Sequence, residues 1–178
     1  SMDDDDYRRG KPSCHKAFGE ANAILAGDAL LTLAFNIIAE KYAPAIGAKM
    51  IRVLSSAIGS EGMVGGQALD MKFCGKYKDS KVKKIINRLK TAKLFEASAS
   101  LGAISSGRAA ARTAGAISKY GIFLGMAFQM TDDILDGENN SSHANAEILI
   151  KKAKDALNVF GKKADNLKKI ADYVLRRG

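Results

Sequence analysis

Between Lys16 and Tyr42, apolar side chains sit on nearly every face a helix can offer: Ile24, Leu25, Leu30, Leu31, Leu33, Phe35, Ile37 and Ile38. A surface helix carries one apolar stripe. A helix apolar almost all round has to be covered on every side, which predicts the central member of a helical bundle. Pro44 closes this segment because proline removes a helical donor and clashes with the preceding turn.

The rest of the chain follows the same pattern. Ala45 to Ile58 is a second helical segment; glycines 59, 62, 65 and 66 then loosen the chain before Gln67 to Phe73. Helical spacing resumes from about Lys81 to Ser106 and from Ala109 to about Asp136. A polar loop, Gly137 to Ser142, precedes helices over Ala144 to Phe160 and Ala164 to Arg176. With no β-alternating run of useful length and only 2 prolines in 178 residues, the fold class is all-α. Neither an internal repeat nor a domain boundary is visible, so residues 1–178 read as a single domain.

Charge and cysteine content narrow the function. The net charge of +9 is concentrated in the C-terminal third, at Lys151, Lys152, Lys154, Lys162, Lys163, Lys168, Lys169, Arg176 and Arg177. These alternate with apolar residues as on a solvated helix face, and no aromatic platform accompanies them, so no nucleic-acid partner is expected. Cys14 and Cys74 form neither a disulfide framework nor a metal-spacing motif, which fits a reducing cytoplasm. No leader is expected behind Asp3 to Asp6 and Arg8-Arg9. The apolar stretch Ala29 to Ile38, interrupted by Thr32 and Asn36, reads as too short to insert stably in a bilayer.

The strongest chemical signal is Phe128-Gln129-Met130-Thr131-Asp132-Asp133-Ile134-Leu135-Asp136. On a helix, Asp132 and Asp136 share a face, about 6 Å apart along the axis, with Asp133 beside them. Three carboxylates at the unfavourable pole of a helix dipole need compensation. Hard divalent cations supply it, and Mg²⁺ favours one or two carboxylates together with substrate phosphates. A second acidic run, Asp3 to Asp6, stands directly before Arg8 and Arg9. Carboxylates for a cation beside guanidinium forks for phosphate oxygens suit a metal-bound diphosphate. Between the two runs, Lys90-Thr91 lies within the apolar pattern of Ile85, Ile86, Leu89, Leu94 and Phe95. His15 and His143 have no chemical partner in this scheme and read as structural.

Together these elements resemble the trans-isoprenyl diphosphate synthases, the polyprenyl synthetase family, of the short-chain farnesyl/geranylgeranyl type. Residues 2–15 look like the end of that family's first aspartate-rich region, and Phe18 to Leu30 like its next helix. Gly65-Gly66-Gln67-Ala68-Leu69-Asp70 is similar to its Gly-Gly-Gln-x-x-Asp element, Lys90-Thr91 to its Lys-Thr pair, and residues 128–136 to its second aspartate-rich motif. The resemblance implies a helical bundle with a deep central cavity, joining isopentenyl diphosphate to an allylic diphosphate by Mg²⁺-assisted ionisation. Asp3 and Asp132 would then bind Mg²⁺, with Asp133 and Asp136 as nearer or supporting carboxylates. Arg8 would contact the allylic diphosphate, Arg9 the isopentenyl diphosphate, and Lys90 the allylic diphosphate again. Thr91, Gln129 and Phe128 would line the cavity and face the carbocation; Asp70 is a further candidate. The family implies a homodimer. The match over Ala17 to Phe35 favours a farnesyl product, then geranylgeranyl.

The sequence departs from the family pattern in several places. The Asp pair that opens the first motif, the N-terminal helices with their isopentenyl-diphosphate element, and the basic loop after the second motif have no counterpart here. Ala92 stands where the family has glycine. The expectation is a part of a longer protein, inactive by itself. Three alternatives follow: a non-catalytic partner subunit, a class I terpene cyclase, and a basic helical nucleic-acid binder. The cyclase needs Asn, Ser or Thr, and Glu at spacings of four, for which Asn139, His143 and Glu147 offer histidine in place of the hydroxyl.

Overall fold

Helices build the architecture, as the sequence pattern predicts. The computed structural model describes residues 1–73, 77, 79–107, 111–135, 137 and 142–176, with only the backbone at 111 and 112. The chain divides into two compact units, Ser1–Ile51 and Arg52–Gly178, where the sequence shows no boundary.

The first unit opens with a hairpin, β1 (Tyr7–Arg8) and β2 (Lys11–Pro12), pairing Tyr7 with Pro12 and Arg8 with Lys11. Its turn residues Arg9 and Gly10 both take positive φ, 53° and 73°, as the favoured two-residue hairpin turn requires. Strands of two residues leave no alternation to read in a sequence. Helix α1 (Cys14–Phe18) and helix α2 (Glu20–Lys41) replace the single helix expected from Lys16 to Tyr42. The break is Gly19, at φ 85°, a conformation closed to most side chains.

Helix α2 differs from the sequence expectation in two further ways. Its only buried residue is Ile38, while Ile24, Leu25, Leu30, Leu31, Leu33 and Ile37 are exposed, against the expectation of a helix covered on every side. At 22 residues it is also long and apolar enough, by length and composition, to cross a membrane. Thr32 and Asn36 interrupt the run less than expected. The Thr32 hydroxyl donates to the Asp28 carbonyl at 2.8 Å, and the Asn36 amide to Glu40 Oε1 at 2.9 Å. The core helix of a soluble bundle has the same length and composition.

Helix α3 (Pro44–Ile58) leads into the second unit. There follow α4 (Met63–Phe73), α5 (Ser80–Asn87), a π-helical turn (Arg88–Ala92), α6 (Lys93–Ser105) and α7 (Ala111–Leu135). Then come α8 (His143–Ala156), a 3-10 segment (Leu157–Ala164) kinked at Gly161, and α9 (Asp165–Arg176). Of the predicted 137–142 loop, residues 138–141 lie outside the described residues, as does Cys74. Helix α7 is the axis of the core. Its Tyr120, Leu124 and Ala127 pack with Ile150, Ala153, Leu157, Ala164, Ala171 and Val174. The C-terminal lysines stay on the outside, as expected, with Lys154 bound to Asp172 at 2.8 Å.

Tyr120 joins this core to α9. Its hydroxyl donates to the Leu167 carbonyl at 2.9 Å, and burial pushes its phenol up to about 12 from an ordinary 10.0. The native state therefore favours the protonated phenol. That contribution is complete below pH 10 and is lost as the pH rises toward 12. Tyr120→Phe should cost about 1 kcal/mol at neutral pH and flatten the alkaline loss of stability, as read by urea unfolding.

Candidate active site

The centre of the second unit is the π-helical turn, Arg88–Ala92, where the Lys93 N–H bonds to the Arg88 carbonyl in place of the usual i→i−4 acceptor. Such single wide turns are rare and concentrate at functional sites. Two helices pack against it backbone to backbone. A Cβ on Gly66 of α4 would lie 2.3 Å from the Lys90 nitrogen and 2.7 Å from its Cα. A Cβ on Gly125 of α7 would lie 2.6 Å from the Cα of Ala92, which is fully buried. Only glycine permits either approach. This corrects the reading of Gly65 and Gly66 as loop residues, since α4 already begins at Met63.

From this junction a string of polar side chains runs between α5, the π-turn and α7. The Thr91 hydroxyl donates to Gln129 Oε1 at 2.6 Å, and Gln129 Nε2 donates to Asp133 Oδ1 at 2.9 Å. The other oxygen of Asp133 takes Lys83 Nζ at 2.9 Å and, more weakly, the Asn87 amide at 3.5 Å. Asp133 is only 5% exposed, and a carboxylate at that depth needs such partners. On the α4 side, Lys90 Nζ lies 2.6 Å from Asp70 Oδ2, and the Tyr77 hydroxyl also donates to Asp70.

Lys90 and Thr91 also border a cavity of about 330 Å³ completed by Leu94, Phe95 and Ser98. The Phe95 and Phe128 rings meet at 5.1 Å, tilted by 45°. A charged group and a hydroxyl therefore stand at the edge of a largely apolar hollow. That pairing suits a ligand with a polar head and a hydrocarbon body.

Of the site residues read from the sequence, this unit brings together Lys90, Thr91, Phe128, Gln129 and Asp133, joined by Asp70. Asp132, half-buried, is the adjacent residue of α7, and Asp136 lies outside the described residues. Asp3, Arg8 and Arg9 stand exposed in the first unit. There Lys16 Nζ reaches Asp4 and Asp6, each at 3.0 Å, and the Lys16 hydrogen bond holds the Asp4 carboxyl below its usual value. His15 sits between Ser13, at 3.1 Å, and Asp4, at 3.3 Å. Asn139 of the cyclase alternative lies outside the described residues.

Lys83, Asn87 and Tyr77 are the partners the sequence reading missed. Lys83, Asn87 and Thr91 repeat every four residues along one helical face, as do Gln129 and Asp133. Two polar stripes of equal spacing were the available signal.

The polyprenyl synthetase family profile matches residues 2–155. The chain is 49% identical over 140 residues to farnesyl diphosphate synthase of Escherichia coli K12, covering 76% of this chain and 47% of that protein. It is 48% identical over 142 residues to farnesyl diphosphate synthase of Geobacillus stearothermophilus, covering 78% and 48%. The chain thus spans about half the length of these relatives. Among solved structures, an FPP/GFPP synthase from Zymomonas mobilis superposes with a TM-score of 0.87 at 37% identity, over 97% of this chain and 67% of that one.

The close approach at Gly66 can be tested directly. Gly66→Ala must displace backbone, not a side-chain tip, and should destabilise the protein by about 1–3 kcal/mol. Gly102→Ala, where a Cβ meets nothing within 4 Å, should not destabilise it in the same urea titration.

Proposed function

The chain belongs to the polyprenyl synthetase family, and on that premise we propose that the complete protein is a short-chain prenyltransferase. It would condense isopentenyl diphosphate with dimethylallyl or geranyl diphosphate, giving farnesyl or geranylgeranyl diphosphate. The observation that carries this reading is the hollow of about 330 Å³ beside Lys90 and Thr91, flanked by the Thr91–Gln129–Asp133 string. An isoprenoid chain would enter the apolar part, with its diphosphate toward Lys90.

Mg²⁺ fits the donor set on α7. Asp132 offers hard carboxylate oxygens at the helix end, and Asp133 is already engaged by Lys83 and Gln129. An ion that takes one or two carboxylates and completes its shell with phosphate oxygens and water suits that donor set. We assign Asp132 and Asp3 as ligands, with Asp136, and Asp133 as their support. Bound there, Mg²⁺ would neutralise the diphosphate as negative charge develops on it.

The chain's own residues account for the remaining steps. The allylic C–O bond would break and its electron pair leave with the diphosphate, held by Lys90; Arg8, in the first unit, is assigned the same role by its motif alone. Thr91 and Gln129 would turn oxygen dipoles, and Phe128 an aromatic face, toward the cation. The isopentenyl double bond, placed by Arg9, attacks to form the new C–C bond, and a proton passes to the released diphosphate. Asp70 fixes the Lys90 ammonium at 2.6 Å, a positioning role. We assign the exposed apolar face of α2 to a homodimer, and the protein to the cytoplasm.

With the complete protein, Mg²⁺, geranyl diphosphate and labelled isopentenyl diphosphate should give a chain-extended diphosphate. Asp132→Ala should lower that rate by about 10²-fold or more. Equal rates would remove Asp132 from the machinery. No extension by a folded wild-type protein would favour the non-catalytic subunit, and a cyclic hydrocarbon product the cyclase.

A further inference from the structure

Lys83 lies outside every motif that marks the family, yet among the described residues of the second unit its ion pair with Asp133 is more buried than Lys90–Asp70, Lys93–Glu96 or Lys154–Asp172. The two side chains are 15% and 7% exposed, with Nζ and Oδ2 at 2.9 Å. Lys83 is on α5, a full helix before Lys90-Thr91, and Asp133 is in the last turns of α7.

The hydrogen-bond string has a fixed direction, and Asp133 sets it. An ionised carboxylate only accepts, so the Gln129 amide must turn its NH₂ group toward Asp133. Its carbonyl oxygen is thereby aimed at Thr91, where it accepts the hydroxyl hydrogen at 2.6 Å. The Thr91 proton is committed to that bond, and the lone pairs of its oxygen are not used in it. The whole string depends on the carboxylate staying in place, and Lys83 Nζ holds it at 2.9 Å. Asn87 at 3.5 Å is too distant to do so.

We propose that Lys83 is a positioning residue for the ionisation step: its ion pair with Asp133 orients Gln129 and, through it, Thr91, so that acceptor oxygens are presented to the allylic cation. This rests on the prenyltransferase reading. Lys83 is assigned no diphosphate contact, so its effect should fall on the reaction after substrates are bound.

The test uses the complete protein with Mg²⁺, geranyl diphosphate and isopentenyl diphosphate. Lys83→Met should lower kcat by about 10-fold or more with the KM of both diphosphates little changed, the mark of an interaction used only in the reaction. Lys83→Arg should restore most of the rate. Mn²⁺ and inorganic diphosphate, titrated calorimetrically as a non-reacting probe, should bind Lys83→Met as they bind the wild type. An unchanged kcat in folded Lys83→Met, or a raised KM at constant kcat, would overturn the proposal. Should Lys83→Met fail to fold, Lys83→Met/Asp133→Asn removes both charges and should show the same kcat loss; a wild-type kcat there overturns it too. A folded wild type without chain extension overturns the prenyltransferase reading first, and this inference with it.

Discussion

The second unit depends on a contact made by main chain and not by side chains. Helix α4 meets the π-turn at Gly66 and helix α7 meets it at Gly125, each where a Cβ would fall within 2.7 Å of backbone atoms. At such separations the three segments have essentially one relative position, since neither sliding nor rotation is possible without overlap. That rigidity lets single side chains on different helices meet at hydrogen-bond distance: Lys90 with Asp70, and Thr91 with Gln129. The departure at Ala92 is accommodated in the same way. Its methyl sits where Gly125 leaves room, so the junction keeps its close packing with the small residue on the other helix.

Electrostatics then differ along the junction. Asp133, buried, is held by Lys83 and Gln129. Asp132, its half-buried neighbour, is directed elsewhere by the helical rotation of about 100° per residue. Adjacent carboxylates thus acquire different tasks through their surroundings, one tying helices together and the other proposed to face a metal. Asp70 and Lys90 repeat this on the α4 side, where the pair is less buried.

Much of this was legible in the sequence where physics acts locally. Helix periodicity located α3, α7 and α9 closely but ran α8 on to Phe160, past its end at Ala156; the Asp132-Asp133 and Lys90-Thr91 elements marked the helices that carry the site. What was illegible depends on distant partners. Gly66 reads as a loosening glycine because the sequence does not show the Lys90 backbone that lies against it. Lys83 reads as one more basic residue because Asp133, fifty positions further on, is what gives it a role. The hairpin at Tyr7–Pro12 escaped because strands of two residues carry no period, and the break at Gly19 because one positive φ leaves the apolar pattern on both sides intact.

A rigid junction of main chain holds the site before any substrate arrives. Native-state hydrogen exchange on the complete protein without substrate tests it most directly. The amides of Thr91, Ala92, Gln129 and Asp133 should fall in the slowest-exchanging class, opening only with the core around Leu124 and Ala127. Exchange at these amides as fast as in the exposed helix α2 would contradict the account.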